Sequence, residues 1–327
     1  MYAWRRCAAL LSRLVLCALA ANAAAQQDAF PNKPIRYISP YASGGSTTFI
    51  ARLIGQQLTE AWGQQVVVDN RPGANTILGT QAAVAARPDG YTLVSVGGSI
   101  LAGNYWLAKT PYNPLKDIAP IGTVSKYENV LVVPPASPAN TIADLIALAK
   151  AKPGQITYGS SAVNGPTHML AELFNTVAGI KTLHVPYKGG GPAVSDLMGG
   201  HINFFFSNPV NVAPQIRSGR LKALGVTGQS RNVAFPDVPT FAEQGLPAMA
   251  LTNWQGVGGP AGIPKAIVDR ISGEIRKLVA KPDTKEKLNA FGQEPFYNDP
   301  QQTAALLRAD IEKYGKIVKD ANMKPAE

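Results

Sequence analysis

The sequence predicts an α/β fold of two lobes, each a mostly parallel sheet flanked by helices, with the chain crossing twice between them. Three observations carry this reading. Strand-like segments alternate with segments of helical period from Pro34 to about Gly98, the pattern of a sheet covered by helices on both faces. The alternation restarts at Val130-Leu131-Val132-Val133-Pro134, as on a second sheet. Beyond Gly259 the chain offers two long amphipathic helices with only a strand-like Pro295-Phe296-Tyr297 between them, and such helices bury their apolar faces only by returning to a sheet already built. One lobe is thus residues 30–127 with 252–327 and the other residues 128–251, with crossings near Tyr127 to Val130 and Leu251 to Gly256.

The first lobe opens with a strand from Ile35 to Ser39 and a helix from Thr47 to Trp62, where Phe49, Ile50, Leu53, Ile54 and Leu58 form an apolar stripe and Gly63 marks the end. A strand from Gln65 to Asp69, the loop Asn70 to Asn75, a helix from Leu78 to Ala86 and a strand from Tyr91 to Val96 follow. Gly97-Gly98-Ser99 then reads as a Gly/Ser loop at the carboxyl end of a strand, where open α/β sheets place ligands. In the second lobe Ile142, Leu145, Ile146 and Leu148 give a helix from Thr141 to Ala151. The Tyr158 strand leads into a helix from Thr167, with Pro166 near its start. A strand from His184 to Tyr187, the loop Lys188 to Gly191, a short helix from Pro192 to Met198 and a buried strand from Ile202 to Phe206 continue the pattern. Ser207-Asn208-Pro209 then leads to a helix from Val210 to Ser218 and a strand from Leu221 to Val226, and the final helices run from Lys265 to Ala280 and from Gln301 to Ala321.

Residues 1–25 have the form of a secretory signal: Arg5, Arg6 and Arg13, the apolar run Leu14 to Ala20, and Ala23-Ala24-Ala25 as the cleavage site. Export with cleavage near Ala25 is expected, and Leu16 before Cys17 is a poor match to a lipidation site. Both cysteines, Cys7 and Cys17, leave with the signal, which removes thiol nucleophiles, disulfides and thiolate metal sites from the mature chain. Cleavage leaves 28 basic against 21 acidic residues, a net charge of +7, and so a preference for anionic partners. Nucleic acid is not among them, because no Lys/Arg cluster interleaved with aromatics occurs. No apolar run after position 25 is long enough to cross a bilayer. Catalytic and cofactor signatures are equally missing. No G-x-S-x-G elbow and no Walker sequence occurs, and Gly256 to Ala261 reads as a turn rather than a dinucleotide fingerprint. His168, His184 and His201 stand on separate elements without the spacing of a metal site.

Two loops carry the chemistry. Tyr41-Ala42-Ser43-Gly44-Gly45-Ser46-Thr47-Thr48 joins a strand to a helix, with glycines that let backbone approach a ligand and hydroxyls beside the unpaired N–H groups of the first helical turn. Gly159-Ser160-Ser161-Ala162 through Gly165, Thr167 and His168 repeats the design, so that two anion-binding loops face each other across a cleft. Neither contains Arg or Lys, which points to neutral donors rather than a cationic clamp.

These residues, with Phe30 to Ile35, Asn70-Arg71-Pro72-Gly73-Ala74, Pro88-Asp89-Gly90-Tyr91-Thr92-Leu93, Thr167-His168-Met169-Leu170-Ala171 and Val185-Pro186-Tyr187-Lys188-Gly189, form an ordered set along the mature chain. The set resembles the Bug-type substrate-binding proteins of tripartite tricarboxylate transporters. The resemblance implies a two-lobed, periplasmic-binding-protein-like fold, and a monomeric periplasmic receptor without cofactor that closes on a small carboxylate. It also implies a partner, a two-component membrane permease that accepts the ligand. The candidate ligand-binding set is the first loop from Tyr41 to Thr48, then Ser99, Gly159, Ser160, Ser161, Ala162, Gly165, Thr167, His168, Tyr187, Lys188, Gly189 and Asn208. This chain departs from the family pattern with Tyr41 for a common Phe, Thr48 for a common Asp, and a loop Gly73 to Ile77 that lacks an extra glycine. With no acid in either loop, the expected ligand carries no ammonium group: an aliphatic di- or tricarboxylate or an aromatic acid. Two other readings of the same cleft are an exported hydrolase or isomerase and a receptor that presents its ligand to a signalling partner.

Overall fold

Val, Ile and Tyr dominate the strand segments, and the helical segments carry one apolar face, so sheets form with helices packed on them. The computed structural model describes residues 30–325, and the export signal read at residues 1–25 lies outside them. The first part of the chain forms β1 (Ile35–Ser39), α1 (Ser46–Trp62), β2 (Val66–Asn70), α2 (Ile77–Val84), β3 (Thr92–Val96), α3 (Gly98–Leu107) and β4 (Ile118–Glu128). The middle forms β5 (Val130–Val133), α4 (Ile142–Ala151), β6 (Thr157–Ser160), α5 (Pro166–Ala178), β7 (Leu183–Pro186), α6 (Gly190–Met198), β8 (Phe204–Ser207), α7 (Pro209–Arg217) and β9 (Lys222–Val226). The last part forms β10 (Thr252–Pro260), α8 (Lys265–Ala280), α9 (Pro282–Ala290), β11 (Glu294–Pro295) and α10 (Pro300–Asp320).

One sheet has the order β11-β4-β10-β3-β1-β2 and the other β7-β6-β8-β5-β9. The first therefore gathers strands from both ends of the described chain and the second those from its middle. Each sheet is mixed rather than mostly parallel. β1 runs parallel to β2 and β3, and β6 to β7 and β8, as the alternation of strand and helix requires. The antiparallel pairs arise where the chain changes sheets: β4 leaves the first sheet, β10 returns to it, and the two pair antiparallel from Thr252↔Glu128 to Pro260↔Ile118. β5 enters the second sheet antiparallel to both β8 and β9.

The sequence pattern did not disclose β4, α3 or α9, and Gly256 to Ala261, expected as a turn, is instead strand through Pro260, where pairing with β4 overrides the glycines. Pro120, Gly122 and Lys126 interrupt the strand signal of β4, and α9 buries only Thr284 and Leu288, too few for a stripe. Gly97-Gly98-Ser99, expected as a loop, instead holds the cap and first turn of α3, and α6 begins already at Gly190.

Each sheet has its own core, around Ile35, Tyr37, Ile54 and Ile275 in one and Val130, Val194, Phe205 and Val212 in the other. A third buried cluster joins them, taking Leu101, Trp254 and Tyr314 together with Leu131, Phe174 and Phe206. It runs through the packing of α5 on α3 and α10. Helices from one half of the molecule thus rest on a helix of the other.

Candidate functional site

An α-helix leaves the N–H groups of its first turn without intrahelical partners. In α1, α5 and α6 the residues before that turn are Gly45, Gly165 and Gly189, and none supplies a capping side chain. In α7 the cap is Asn208, whose side-chain oxygen accepts from the Val210 N–H. All four helix starts meet at one cavity of about 60 Å³, lined by Gly45, Ser46 and Thr47 of the first, Pro166 and Thr167 of the second, Gly189 to Gly191 of the third, and Asn208 and Asn211 of the fourth. α1 stands on one sheet and the other three helices on the second, so the cavity lies between them. Its remaining walls include Tyr41, Tyr127, Asn129, Phe205, Ser161 and Gln255, and no Lys, Arg, Asp or Glu lines it.

Three amide atoms here are buried without a hydrogen-bond partner in the protein: Asn208 Nδ2, Asn211 Oδ1 and Gln255 Oε1. The orientation of Asn208 is set by its oxygen, which accepts from Val210 N at 3.0 Å and from Gln293 Nε2 at 3.2 Å, so its NH2 is a free donor. Gln255 Nε2 donates to Ser46 Oγ at 3.0 Å, tying β10 to the start of α1. Buried polar atoms without partners are costly and uncommon, and three of the eight such side-chain atoms among the described residues belong to residues lining this cavity. Burial pushes the Tyr127 phenol up to about 12, so it remains a neutral donor beside them. The enclosed Tyr41 phenol is raised as well, by burial first and by its neighbours Tyr127 and Tyr112 second. The helix starts, Asn208 Nδ2 and the Tyr127 hydroxyl are donors that suit an anion, whereas Asn211 Oδ1 and Gln255 Oε1 are acceptors that suit a water or a ligand hydroxyl beside it.

A second, larger cavity of about 650 Å³ adjoins the first, sharing Tyr41 and Ser161. Ala162, Tyr187 and Lys188 line it on one side and the loop Pro72 to Ile77 on the other. Ala74, Asn75 and Thr76 have φ of 44°, 51° and 73°, a left-handed run without glycine. Asn104, fully buried, holds it by donating to Thr76 Oγ1 at 2.9 Å and accepting from Asn75 Nδ2 at 2.8 Å.

Of the residues read from the sequence, Tyr41, Ala42, Ser43, Gly45, Ser46, Thr47, Ser161, Thr167, Gly189 and Asn208 line the inner cavity, and Ala162, Tyr187 and Lys188 the outer one. Gly44, Thr48, Ser99, Gly159, Ser160, Gly165 and His168 line neither. Thr48 is buried with its hydroxyl accepting from Asn70 Nδ2 at 2.7 Å, so it braces β2 instead of facing ligand. Gly159 makes room for packing, since a Cβ there would lie 2.6 Å from Ile202 Cδ1. Ser160 is fully buried; its hydroxyl donates to Ala162 O at 3.0 Å and lies 2.6 Å from His184 Nε2, which therefore carries the donating hydrogen. His168 stacks on His184 with ring centres 3.9 Å apart, and its Nδ1 accepts from the Asn164 N–H. Burial lowers His168 to about 3, with the neighbouring His184 adding to the effect, and burial lowers His184 to about 4. Both rings are neutral structural groups.

Ser99 belongs to a helix start already provided with an anion. The Asp310 carboxylate of α10 lies against Gly98, where any Cβ would overlap it, and is held by Trp254 Nε1 at 2.7 Å and Lys313 Nζ at 2.6 Å. Pattern reading missed Tyr127, Asn129, Asn211 and Gln255. Three of them lie on the crossings that the sequence did place, Tyr127 and Asn129 on one and Gln255 on the other.

Residues 50–323 match the family described as tripartite tricarboxylate transporter family receptor. The chain belongs to this receptor family. It is 34% identical to Protein BugT of Bordetella pertussis, over 91% of this chain and 92% of that one. An R. palustris protein solved with adipate shares 31% identity and a TM-score of 0.88, covering 91% of this chain and 100% of that one. MatC of Rhodopseudomonas palustris, solved with bound malate, shares 25% identity and a TM-score of 0.85 over 88% and 100%. As a member of a family of substrate-binding receptors the chain is a receptor and not an enzyme, which corrects the hydrolase or isomerase reading of the cleft. Among the described residues of the receptor no helix is long and apolar enough to cross a membrane.

Proposed function

We propose that this protein is a periplasmic receptor whose two lobes, residues 30–127 with 252–327 and residues 128–251, close on a small carboxylate without an ammonium group. The ligand is an aliphatic di- or tricarboxylate or an aromatic acid, and it passes to the permease subunits of a tripartite tricarboxylate transporter. The observation that carries this reading is the meeting of four helix starts on a cavity with no charged lining residue. Helix starts and neutral amides hold an anion without a buried counter-charge, whose own desolvation would have to be overcome at each cycle of capture and release. No Asp or Glu lines either cavity, and a buried ammonium without an anionic partner costs several kcal/mol, roughly enough to exclude amino acids. The adipate and malate found in related structures support a carboxylate ligand. The signal over residues 1–25 directs export, with cleavage near Ala25. Both walls of the cleft come from one chain, so a monomer is sufficient.

The test is calorimetric titration of protein that has been unfolded and refolded to strip carried-over ligand, with glutamate, aspartate, citrate, succinate and benzoate. At least one plain acid binds more tightly than both amino acids. At a hundredfold excess over its dissociation constant it adds about 2.7 kcal/mol of stability, raising the melting temperature by about 5 °C. A tighter amino acid, or no response to any of the set, overturns the reading.

A further inference from the structure

We infer that the ligand of this receptor is an amphipathic carboxylate: its carboxylate occupies the inner cavity and an apolar body, an alkyl chain or an aromatic ring, lies along the outer groove. The inference rests on the reading of the inner cavity as a carboxylate seat and narrows it. At about 60 Å³ the inner cavity has room for a carboxylate group and roughly one or two waters. The rest of any ligand must extend beyond it, and the 650 Å³ cavity that shares Tyr41 and Ser161 with the seat is the adjoining space.

What it meets there is apolar. Pro40, Ile77, Ala108, Ala162, Val163 and Pro186 form much of the wall. Apart from Lys188 and the Tyr41 hydroxyl, the polar side chains of the same wall are already engaged with protein. Asn75 donates to Asn104, Thr76 Oγ1 accepts from Asn104, Asn164 Nδ2 donates to Leu107 O, and the Tyr187 hydroxyl donates to Asp196. A ligand with several hydrated carboxylates or hydroxyls would lose water along this wall without recovering hydrogen bonds. Val163 is 44% exposed, apolar surface that a ligand body would cover. The opposing wall is built on the left-handed run Ala74 to Thr76, and strain of this kind persists only where surrounding structure enforces it, here through buried Asn104. Lys188 is the one charged residue lining either cavity, and it is part of the outer groove's wall.

A homologous series tests this on the refolded full mature chain: butyrate, hexanoate and octanoate by calorimetry, with succinate and citrate alongside. Each added methylene tightens binding about three- to fourfold until the groove is filled, and hexanoate binds more tightly than succinate or citrate. A flat or falling trend along the series, with succinate or citrate binding well, overturns the apolar body while leaving the carboxylate seat in place. No binding of any acid overturns the seat as well. Val163→Asn weakens octanoate several-fold and leaves butyrate unchanged, at an exposed position where folding is not at stake. An equal loss for both acids would show that the groove does not hold the chain.

Discussion

The starts of α1 and α3 are built alike and used in opposite ways. Each follows a strand of the same sheet, and each begins at a glycine without a capping side chain. At α3 the protein seats its own anion, the Asp310 carboxylate, against Gly98 under the Trp254 indole and the Lys313 ammonium. At α1 the equivalent surface faces the cleft, and the nearest group to a Cβ on Gly45 would be Asn211 Oδ1, 3.9 Å away across it. A glycine-headed helix start is thus a carboxylate-compatible surface in general. What separates a structural joint from the proposed binding site is whether another part of the chain brings the acid.

The sharpest way to break this comparison is to close the open start. Gly45 has φ of −93°, a conformation any residue adopts, so Gly45→Val adds a side chain to the cavity without backbone strain. Affinity for the best-bound acid drops at least about a hundredfold, roughly 2.7 kcal/mol, in calorimetric titration. The melting temperature of the ligand-free protein stays near wild type, and normal binding would reduce the loop to a turn. At the other start the effect falls on stability. Asp310→Ala leaves the buried Trp254 N–H unpaired and removes the partner of Lys313, costing about 2–3 kcal/mol in denaturant unfolding. Ligand affinity is unchanged, and a loss of affinity with little change in stability would undo the distinction between the two starts.

Gly159→Val distinguishes space for a ligand from space for the core. It overfills the contact with Ile202 and costs about 1–3 kcal/mol of stability. Adding Ile202→Ala restores part of that loss, which would not happen if Gly159 served ligand approach.

How much of this was legible in the sequence follows from the range of the interactions. The first loop is contiguous, so its glycines and hydroxyls could be read as one site, and six of its eight residues from Tyr41 to Thr48 line the cavity. Gly44 stands outside it, and Thr48 turns toward Asn70 of the next strand. The second loop is divided by the pleat of β6, which turns Gly159 toward Ile202 and Ser160 toward His184, and composition alone does not reveal which face of a four-residue strand meets solvent. The partnership of Gly98 with Asp310 joins distant parts of the chain and leaves no local mark. The crossings were legible as positions, but that Tyr127 and Gln255 line the cleft depends on register and bulges in the β4–β10 pair, and Asn129 sits at the junction of β4 and β5.

The smallest effect concerns the histidine stack beside Ser160. Burial holds His168 at about 3 and His184 at about 4, below the ordinary value near 6.5, so the folded state binds these protons less well than the unfolded chain. Their contribution to stability is complete above pH 6.5 and is lost as pH falls from there toward 4. The difference in unfolding free energy between wild type and a His168→Gln, His184→Gln variant should therefore shrink across that interval. A constant difference would mean that the rings titrate normally.

The buried cluster that joins the two sheets has a consequence for how the molecule comes apart. Leu131, Phe174 and Phe206 share it with Leu101, Trp254 and Tyr314, so neither sheet can lose its packing without exposing apolar surface of the other. Heating should give one cooperative endotherm rather than two, and fragments cut at the crossings should not become native alone. The same cluster seats α5 on α3 and α10, so the proposed parting of the jaws would have to shear a single shared hydrocarbon seam.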